Sequence, residues 1–265
     1  MGSRRVETRL NVDRSGDLGS ILGIWAHPDD EAWLSSGLMM RAVEAGHRVV
    51  CVTATRGESG FPADDGRPAE ERKAVRASEL DSCLRLLGVD EHYFLDFDDG
   101  RCADMPDDEA VPRLVDIIAD VTPDTVLSFG PDGATGHSDH ISTCRWTTEA
   151  VRRSGPQTRL LYATTTKRWN KQFFTGFDPA TIFMIDGFEP ELLDEADLAV
   201  WFSCDESHLP RKVAAMRAQA SQIEPLVQAM GVPTFSRLVQ EEFFRSPAPG
   251  DADTIERMRL QTAPR

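Results

Sequence analysis

The sequence predicts an α/β protein in which helices flank a Rossmann-like, mainly parallel sheet. Short apolar or β-branched runs alternate with longer segments in which apolar residues recur at helical spacing. Glycine, proline and aspartate mark the boundaries between these segments. Strands and helices that alternate in this way form β-α-β units, and their right-handed crossovers make successive strands parallel.

The first strand and the first helix have clearly different patterns. Residues Ile21–Ala26 form an apolar run that is long enough for a buried strand and too short for a helix. Over Glu31–Ala45 the apolar residues recur at helical spacing, and Gly46 supplies the stop expected after a helix. We therefore expect the chain to begin its folded part with one β-α unit.

The same alternation continues along the chain. Further strands are predicted at Arg48–Thr55, His92–Phe97, Thr125–Phe129, Arg159–Thr165 and Leu198–Cys204. Further helices are predicted at Glu70–Leu87, Ala110–Val121, Ser138–Arg153 and Pro210–Met230. Three of these helices are closed by a glycine, namely Gly88, Gly155 and Gly231. The pattern loosens after Asn170, so the regular β-α-β body is expected to lie before it.

Length and composition favour one domain. The chain has 265 residues, of which 40% are apolar, and this is enough for one sizeable core. We expect a flexible N-terminus over residues 1–18 and a single domain over residues 19–246. Residues 247–265 mix proline, glycine and charge, and we expect them to form a tail.

Charge and hydropathy limit the classes of partner and compartment. The 29 basic and 44 acidic residues give a formal net charge of -15, which argues against a nucleic-acid backbone or an anionic membrane as partner. No apolar run reaches the ~20 residues of a membrane span, and the start of the chain is too polar for a signal peptide. A cytoplasmic location is therefore expected.

Cysteine usage indicates neither a disulfide frame nor a thiolate metal site. The five cysteines are odd in number, scattered, and never in a C-x-x-C pair. They are Cys51, Cys83, Cys102, Cys144 and Cys204.

Two short clusters of histidine and aspartate follow predicted strands. His27-Pro28-Asp29-Asp30 comes directly after the first strand, and His137-Ser138-Asp139-His140 follows the loop after Phe129. Because ligands bind beyond the carboxyl ends of parallel strands, both clusters are expected at one edge of the sheet. An Asp-Asp pair at a helix start is commonly an N-cap and a lone histidine is commonly structural, but two such clusters at matching junctions favour a site.

The residue types in these clusters suit a hydrolytic metal centre. His27 and Asp30 can chelate one ion with His140 as third ligand, and zinc in hydrolytic sites takes three protein ligands. Asp29 beside them is our candidate general base. His137 can donate to a developing oxyanion or a leaving amine, and Asp139 can hold an imidazole in one tautomer.

These motifs also carry a family resemblance. Ala26-His27-Pro28-Asp29-Asp30-Glu31 with the downstream His137-Ser138-Asp139-His140 resembles the PIG-L/LmbE-like family of zinc-dependent de-N-acetylases. The similarity continues in matching order through Thr55-Arg56-Gly57-Glu58, Arg76-Ala77-Ser78-Glu79 with Leu87-Gly88, and Asp98-Asp99-Gly100. It thins later in the chain, where Gln219 stands in a stretch in which family members often carry histidine.

The resemblance implies an LmbE-like fold with a C-terminal extension and hydrolysis of a small N-acyl amino-sugar substrate. It implies zinc, or another divalent metal, held by His27, Asp30 and His140. The implied catalytic residues are Asp29, His137 and Asp139, and the implied substrate-binding residues are Arg76, Glu58 and Asp98. Neither a nucleic acid nor a membrane is an implied partner.

Three other functions are conceivable for a sequence with this pattern. A nucleotide-binding Rossmann protein is disfavoured, because Gly16, Gly19 and Gly23 precede or enter the first strand and Gly130–Gly136 lacks a P-loop lysine. An amidase for a larger acyl or thiol-conjugate amide stays open, as does a catalytically silent metal-binding protein. Trp33, Trp146 and Trp169 can stack on a sugar or pack in the core.

Overall fold

The computed structural model describes residues 16–175, 183, 185 and 188–262. Most of the N-terminus that we predicted to be flexible therefore lies outside the described residues. Nine strands are assigned in this part of the chain: β1 Ile21–Trp25, β2 Val49–Thr55, β3 Glu91–Phe97, β4 Thr125–Phe129, β5 Arg159–Ala163, β6 Thr165–Thr166, β7 Leu192–Leu193, β8 Val200–Ser203 and β9 Glu241–Arg245.

The helices come in the same chain order. They are α1 Asp30–Leu34, α2 Ser36–Glu44, α3 Ala69–Leu87, α4 Asp107–Val121, α5 Gly133–Gly136, α6 Ser138–Ser154, α7 Lys167–Phe173, α8 His208–Ala218, α9 Ala220–Met230, α10 Val232–Leu238 and α11 Asp251–Thr262. No helix in the described part of the chain is both long and apolar enough to cross a membrane.

Seven of the strands form one sheet in the order β3-β2-β1-β4-β5-β9-β8. The first five are parallel, whereas β9 runs antiparallel to both β5 and β8. All residues of β1, β2 and β4 are buried, as expected for central strands covered on both faces. The predicted α/β fold with a mainly parallel sheet is confirmed.

The long helix predicted over Glu31–Ala45 is interrupted at Ser35. The cause lies at the other end of the sequence. The buried Glu242 carboxylate on β9 accepts hydrogen bonds from the backbone N–H groups of Gly37 (2.7 Å) and Leu38 (3.0 Å), at the N-terminus of α2. Lys212 on α8 pairs with Glu242 at 2.6 Å, and both side chains are fully buried.

The helix predicted over Pro210–Met230 is also interrupted, at Gln219. Gln219 leaves helical geometry, is fully buried, and donates from Nε2 to Glu31 Oε1 at 2.5 Å. Gln219 lies between α8 and α9, and Glu31 directly follows the first cluster. The hydrogen bond therefore connects these two helices to the first cluster.

The C-terminal part differs from the expected tail. Residues Asp251–Thr262 form helix α11, which buries Ile255 and Met258. Pro247, Pro249 and Gly250 directly before this helix favoured an irregular segment in the sequence prediction, and residues 263–265 lie outside the described part. All five cysteines are buried thiols without a disulfide.

The buried Lys212–Glu242 pair yields the first prediction. Lys212→Met leaves the Glu242 carboxylate buried without its cation, and we expect the free energy of unfolding to fall by about 3–5 kcal/mol. Urea unfolding measures the change. The control is Arg85→Met, which removes an exposed ion pair with Asp81 and is expected to cost about 1 kcal/mol or less. Equal losses in the two variants would contradict the role given to the buried pair.

A second prediction concerns the Gln219–Glu31 hydrogen bond. Gln219→Leu keeps a side chain of similar size but removes the donor to a buried carboxylate, so we expect the free energy of unfolding to fall by about 1–3 kcal/mol. Gln228→Leu, at an exposed position of the same helix α9, is the matched control. If both variants unfold at the same urea concentration as the unmodified protein, the hydrogen bond does not stabilise the fold.

Candidate active site

The strand order brings both clusters to one edge of the sheet. β1 lies between β2 and β4, and the residues that follow these strands meet beyond their carboxyl ends. His27 follows β1 directly, whereas His137 and His140 lie at the start of α6, after β4. The two clusters predicted from the sequence are therefore in contact.

The rings of His27 and His140 face one another, with His27 Nδ1 3.2 Å from His140 Nε2. His140 Nδ1 is 2.9 Å from the carbonyl oxygen of Gly133, so this nitrogen carries the proton and a neutral ring has its lone pair on Nε2. His27 Nε2 lies 3.1 Å from a carboxylate oxygen of Asp139. In a neutral His27 ring the lone pair is therefore on Nδ1, and two lone pairs at this distance require a cation between them.

A metal ion or a proton can supply this positive charge. Burial lowers the pKa of His27, but hydrogen bonds to Asp139 and Asp99 outweigh this effect and hold its pKa well above the ordinary value. Burial and the neighbouring His27 charge hold the pKa of His140 well below the ordinary value.

Asp30, the carboxylate of the predicted ligand set, lies beside both imidazoles. Its Oδ1 lies 3.5 Å from His140 Nε2, and its Oδ2 lies 3.6 Å from His27 Nδ1. A tetrahedral ion with bonds of about 2 Å requires donor atoms about 3.3 Å apart, close to these distances. Asp30 Oδ2 also accepts the backbone N–H of His27 at 2.8 Å, which fixes the carboxylate.

His137 offers an alternative third nitrogen. Its ring lies close to both other imidazoles, and the three histidines bring ligand atoms within 4.8 Å of one another. However, His137 Nδ1 accepts the backbone N–H of Asp139 at 3.1 Å and so caps α6. This bond favours the neutral tautomer with its proton on Nε2, and in that tautomer Nε2 is a hydrogen-bond donor.

Two carboxylates share the other side of His27. Asp139 Oδ2 and Asp99 Oδ1 each lie 3.1 Å from His27 Nε2. Asp139 is fully buried and also accepts from the backbone N–H groups of Gly100 (2.7 Å) and Cys102 (3.1 Å). The imidazole that Asp139 orients is thus His27. Such outer contacts raise the basicity of a metal-binding histidine.

Asp29 has a strained backbone, with φ of 125°. Its N–H donates to Glu31 at 3.0 Å, and Arg76 donates to the carbonyl of the preceding Pro28 and lies 3.3 Å from the Asp29 carboxylate. The side chain makes no capping bond to α1, so the N-cap interpretation does not apply. These contacts hold the carboxylate at the mouth of the cluster.

Burial raises the pKa of Asp29 to about 7, although the charge of Arg76 acts in the opposite direction. Burial likewise raises the pKa of Glu31 to about 7. A carboxyl group that titrates near neutral pH is suited to exchange protons with a substrate or water.

Arg76 can approach Asp29 because Gly57 has no side chain. Gly57 has φ of +67°, and an added Cβ would lie 2.8 Å from the Arg76 guanidinium carbon. Arg76 is buried, and its Nη1 donates to the Gly57 carbonyl at 3.1 Å. Arg76 lines the pocket. Its guanidinium donates to the carbonyl oxygens of Gly57 and Pro28, and its role in substrate binding stays a prediction.

The other two predicted substrate-binding residues do not line the pocket. Asp98 has a side chain that is 78% exposed, whereas its neighbour Asp99 enters the cluster. This is a correction to the sequence prediction, and it arises because the two adjacent aspartates point in different directions after β3. The Glu58 carboxylate accepts a hydrogen bond from the backbone N–H of Asp99 at 3.2 Å, which helps to fix the backbone at Asp99.

Asp99 is the residue that the sequence prediction missed. Burial raises the pKa of its carboxyl group, but hydrogen bonding and charge from His27 outweigh burial and lower it to about 2. The Ser59 backbone N–H also donates to it at 2.7 Å. The Asp98-Asp99-Gly100 motif indicated this place but not which aspartate occupies it.

The clusters open into a cavity of about 590 Å³. His27, Asp29, Asp30, His137 and His140 line its floor. Trp33 and Trp169 also line it, whereas Trp146 is fully buried in the core. The volume is in the range of pockets that bind small molecules.

Comparison with known proteins agrees with this geometry. The family described as "PIG-L: GlcNAc-PI de-N-acetylase" matches residues 22–151, which include both clusters. The 1D-myo-inositol 2-acetamido-2-deoxy-alpha-D-glucopyranoside deacetylase of Mycobacterium sp. (strain KMS) is 32% identical over 234 residues, covering 77% of this chain and 74% of that protein.

Solved structures share the fold. The N,N'-diacetylchitobiose deacetylase from Pyrococcus horikoshii aligns with a TM-score of 0.59 and 23% identity, covering 86% of this chain and 84% of that one. GalB, the 4-carboxy-2-hydroxymuconate hydratase of Pseudomonas putida KT2440, aligns with a TM-score of 0.61 and 18% identity, covering 87% and 97%. At these identities the structures support the fold alone.

The sequence relative spans most of both chains, and the family match covers both clusters. The resemblance drawn from the motifs is thereby confirmed. The chain belongs to the PIG-L/LmbE family of de-N-acetylases, which are hydrolases of amide bonds.

Proposed function

We propose that this protein is a zinc-dependent hydrolase that removes an N-acyl group, with N-acetyl as the simplest case, from a small amino-sugar conjugate. The observation that carries the proposal is the meeting of His27, Asp30 and His140: the two ring nitrogens lie 3.2 Å apart, and each has one of the two Asp30 oxygens at 3.6 or 3.5 Å. Two imidazoles and one carboxylate suit zinc, although another divalent metal can take its place.

A divalent ion at these ligands supplies positive charge, which polarises the amide carbonyl and makes water more acidic. Asp29 accepts the proton of the water that attacks the carbonyl carbon and returns it to the amide nitrogen when the C–N bond breaks, so that a carboxylic acid and a free amine are released. Its pKa of about 7 suits both transfers. His137 donates from Nε2 to the carbonyl oxygen as negative charge develops there. Asp139 keeps His27 oriented through the same reaction, and Arg76 keeps Asp29 in place.

The substrate class follows from the groups in the cavity and from the relatives. Ser59, Arg76 and Asp99 line one side and offer hydrogen-bond partners for sugar hydroxyl groups. The sequence relative named above acts on an acetamido sugar linked to inositol, according to its name. An N-acyl glucosamine conjugate is therefore the substrate class to test first.

One alternative is separable by experiment. A catalytically silent protein of the same fold binds the metal without releasing amine from any amide. The similarity to a hydratase shows that the fold alone does not determine the reaction. The half-buried Asp29 with its strained backbone favours turnover, because such strain is found mainly at functional sites.

Metal content is the first test of the proposal. Elemental analysis of the purified protein, reconstituted with zinc, is expected to give about one ion per chain, and Asp30→Ala is expected to lose most of it because one of three ligands is gone. Asp98→Ala, which changes an exposed aspartate outside the pocket, is the matched control and keeps its zinc. Equal zinc in both variants would remove Asp30 from the ligand set.

Catalysis is tested with Asp29→Asn. This variant keeps the size of the side chain but removes the base, so we expect kcat for acetate release from N-acetylglucosamine conjugates to fall at least about 100-fold while zinc content is kept. Asp98→Asn is the control. If the unmodified protein binds zinc but releases no carboxylate from a broad panel of N-acyl amino sugars, the silent alternative replaces the proposal.

A further inference from the structure

The cavity has two chemically different sides, and the order of the strands separates them. Over β2 and β3 lies a polar wall, which we define as Ser59, Gly60, Arg76, Asp99 and Gln222. Over β4 and β5 lies an apolar wall, which we define as Trp169, Phe174 and Phe183. Phe129 is fully buried and stacks on the ring of His140. The histidine and aspartate clusters follow β1 and β4, between the two walls.

The polar wall is held in place by bonds within the chain. Gln222 donates from Nε2 to the carbonyl of Gly60 at 2.9 Å, which joins α9 to the loop after β2. Asp99 and Arg76 reach the same region from β3 and α3. This side therefore presents charged and amide groups to whatever binds beside the cluster.

The apolar wall consists mainly of large aromatic rings. The ring of Trp169 lies 5.2 Å from that of Phe174, and its Nε1 donates to the Leu238 carbonyl at 3.2 Å. Both side chains are only half-buried, so they keep apolar surface open to the cavity. Thr135, Thr165 and Asn170 are the polar side chains that line the cavity on this side among the described residues.

The apolar surface continues up to the cluster itself. Trp33 and Leu34 come three and four residues after Asp30, on the helix face that Asp30 shares, and both line the cavity. An apolar group bound at the apolar wall can thus remain in apolar contact as it approaches the reacting carbon. An acetyl methyl group covers only a small part of this surface.

An N-acyl amino sugar likewise has a polar part, the sugar, and an apolar part, the acyl chain. With its carbonyl at the cluster, the sugar on the nitrogen extends to one side and the acyl chain on the carbonyl carbon extends to the other. Sugar hydroxyl groups require hydrogen-bond partners, which the polar wall provides, and an alkyl or aryl chain loses water-exposed surface against the apolar wall.

Resting on the proposed function, we propose that the preferred substrate carries an apolar N-acyl group longer than acetyl, bound against Trp169 and Phe174. The apolar wall then determines acyl specificity, while the polar wall recognises the sugar. Part of the binding free energy of the chain is available to accelerate the reaction, so kcat/KM rises with its length by up to about threefold for each methylene in contact.

The test compares N-acetyl-, N-butanoyl- and N-hexanoylglucosamine with the zinc-loaded protein, by measuring release of the free amine. We expect kcat/KM for the hexanoyl substrate to exceed that for the acetyl substrate by at least about tenfold. A second series, methyl and hexyl glycosides of N-acetylglucosamine, lengthens the sugar side instead and is expected to change kcat/KM by less than about threefold.

Variants of the apolar wall check the assignment. Phe174→Asn is expected to lower the hexanoyl-to-acetyl ratio at least about fivefold, because it replaces an aromatic contact with a polar amide. Leu34→Asn serves as a second variant in case the first fails to fold. Tyr93→Asn, which changes an exposed aromatic residue on β3 outside the cavity, is the control and keeps the ratio of the unmodified protein.

The outcomes are distinguishable. Equal kcat/KM for all three acyl chains, or a gain that follows the glycoside instead, overturns this inference and leaves the proposed hydrolase intact. A hexanoyl preference that survives both Phe174→Asn and Leu34→Asn also overturns it, since another surface then determines acyl specificity. Absence of amine release from every amide in both series overturns the proposed function and the inference together.

Discussion

The pairing of β1 with β4 in the middle of the sheet is the constraint on which the site depends. The two strands are hydrogen-bonded in parallel, with Ile21 opposite Thr125, and their following segments diverge. The strand order reverses at this point, which creates a crevice beyond the strand ends. His27 and His140 are 113 residues apart and meet only because this register aligns the two strand ends. A slip of one residue would turn the side chains of β1 to the opposite face.

Charge is concentrated in this crevice, and each carboxylate has a fixed partner. Asp139 is held by two backbone N–H groups, Asp30 by the N–H of His27, and Asp29 by Arg76. Buried charges without such partners are strongly destabilising. The ring nitrogens of His27 and His140 that face each other have no carboxylate between them and lie 3.2 Å apart.

Local patterns were enough to predict most of the fold and the floor of the site. The buried strands read as apolar runs, glycines marked the ends of α3 and α6, and both clusters fell at strand ends, where a parallel sheet brings them together. The interruptions at Ser35 and Gln219 were not predictable, because Glu242 and Glu31 reach those positions from distant parts of the sequence. Strand β9 was missed for the same reason, as its pairing with β5 reverses the direction of the sheet. The choice between Asp98 and Asp99 depended on how the chain turns after β3, which composition does not reveal. The ligand set and the catalytic roles stay predictions.

The positive φ of Asp29 has a consequence for how this protein can change over time. Glycine adopts that backbone geometry without strain, so at this position the residue most compatible with folding is one that has no carboxylate. Selection for heat resistance alone would favour replacing Asp29, whereas selection for turnover would oppose it. The two pressures act on the same backbone angle. Asp29 therefore lowers the stability of the fold, and only the catalytic role proposed for its carboxylate would favour keeping it at this position.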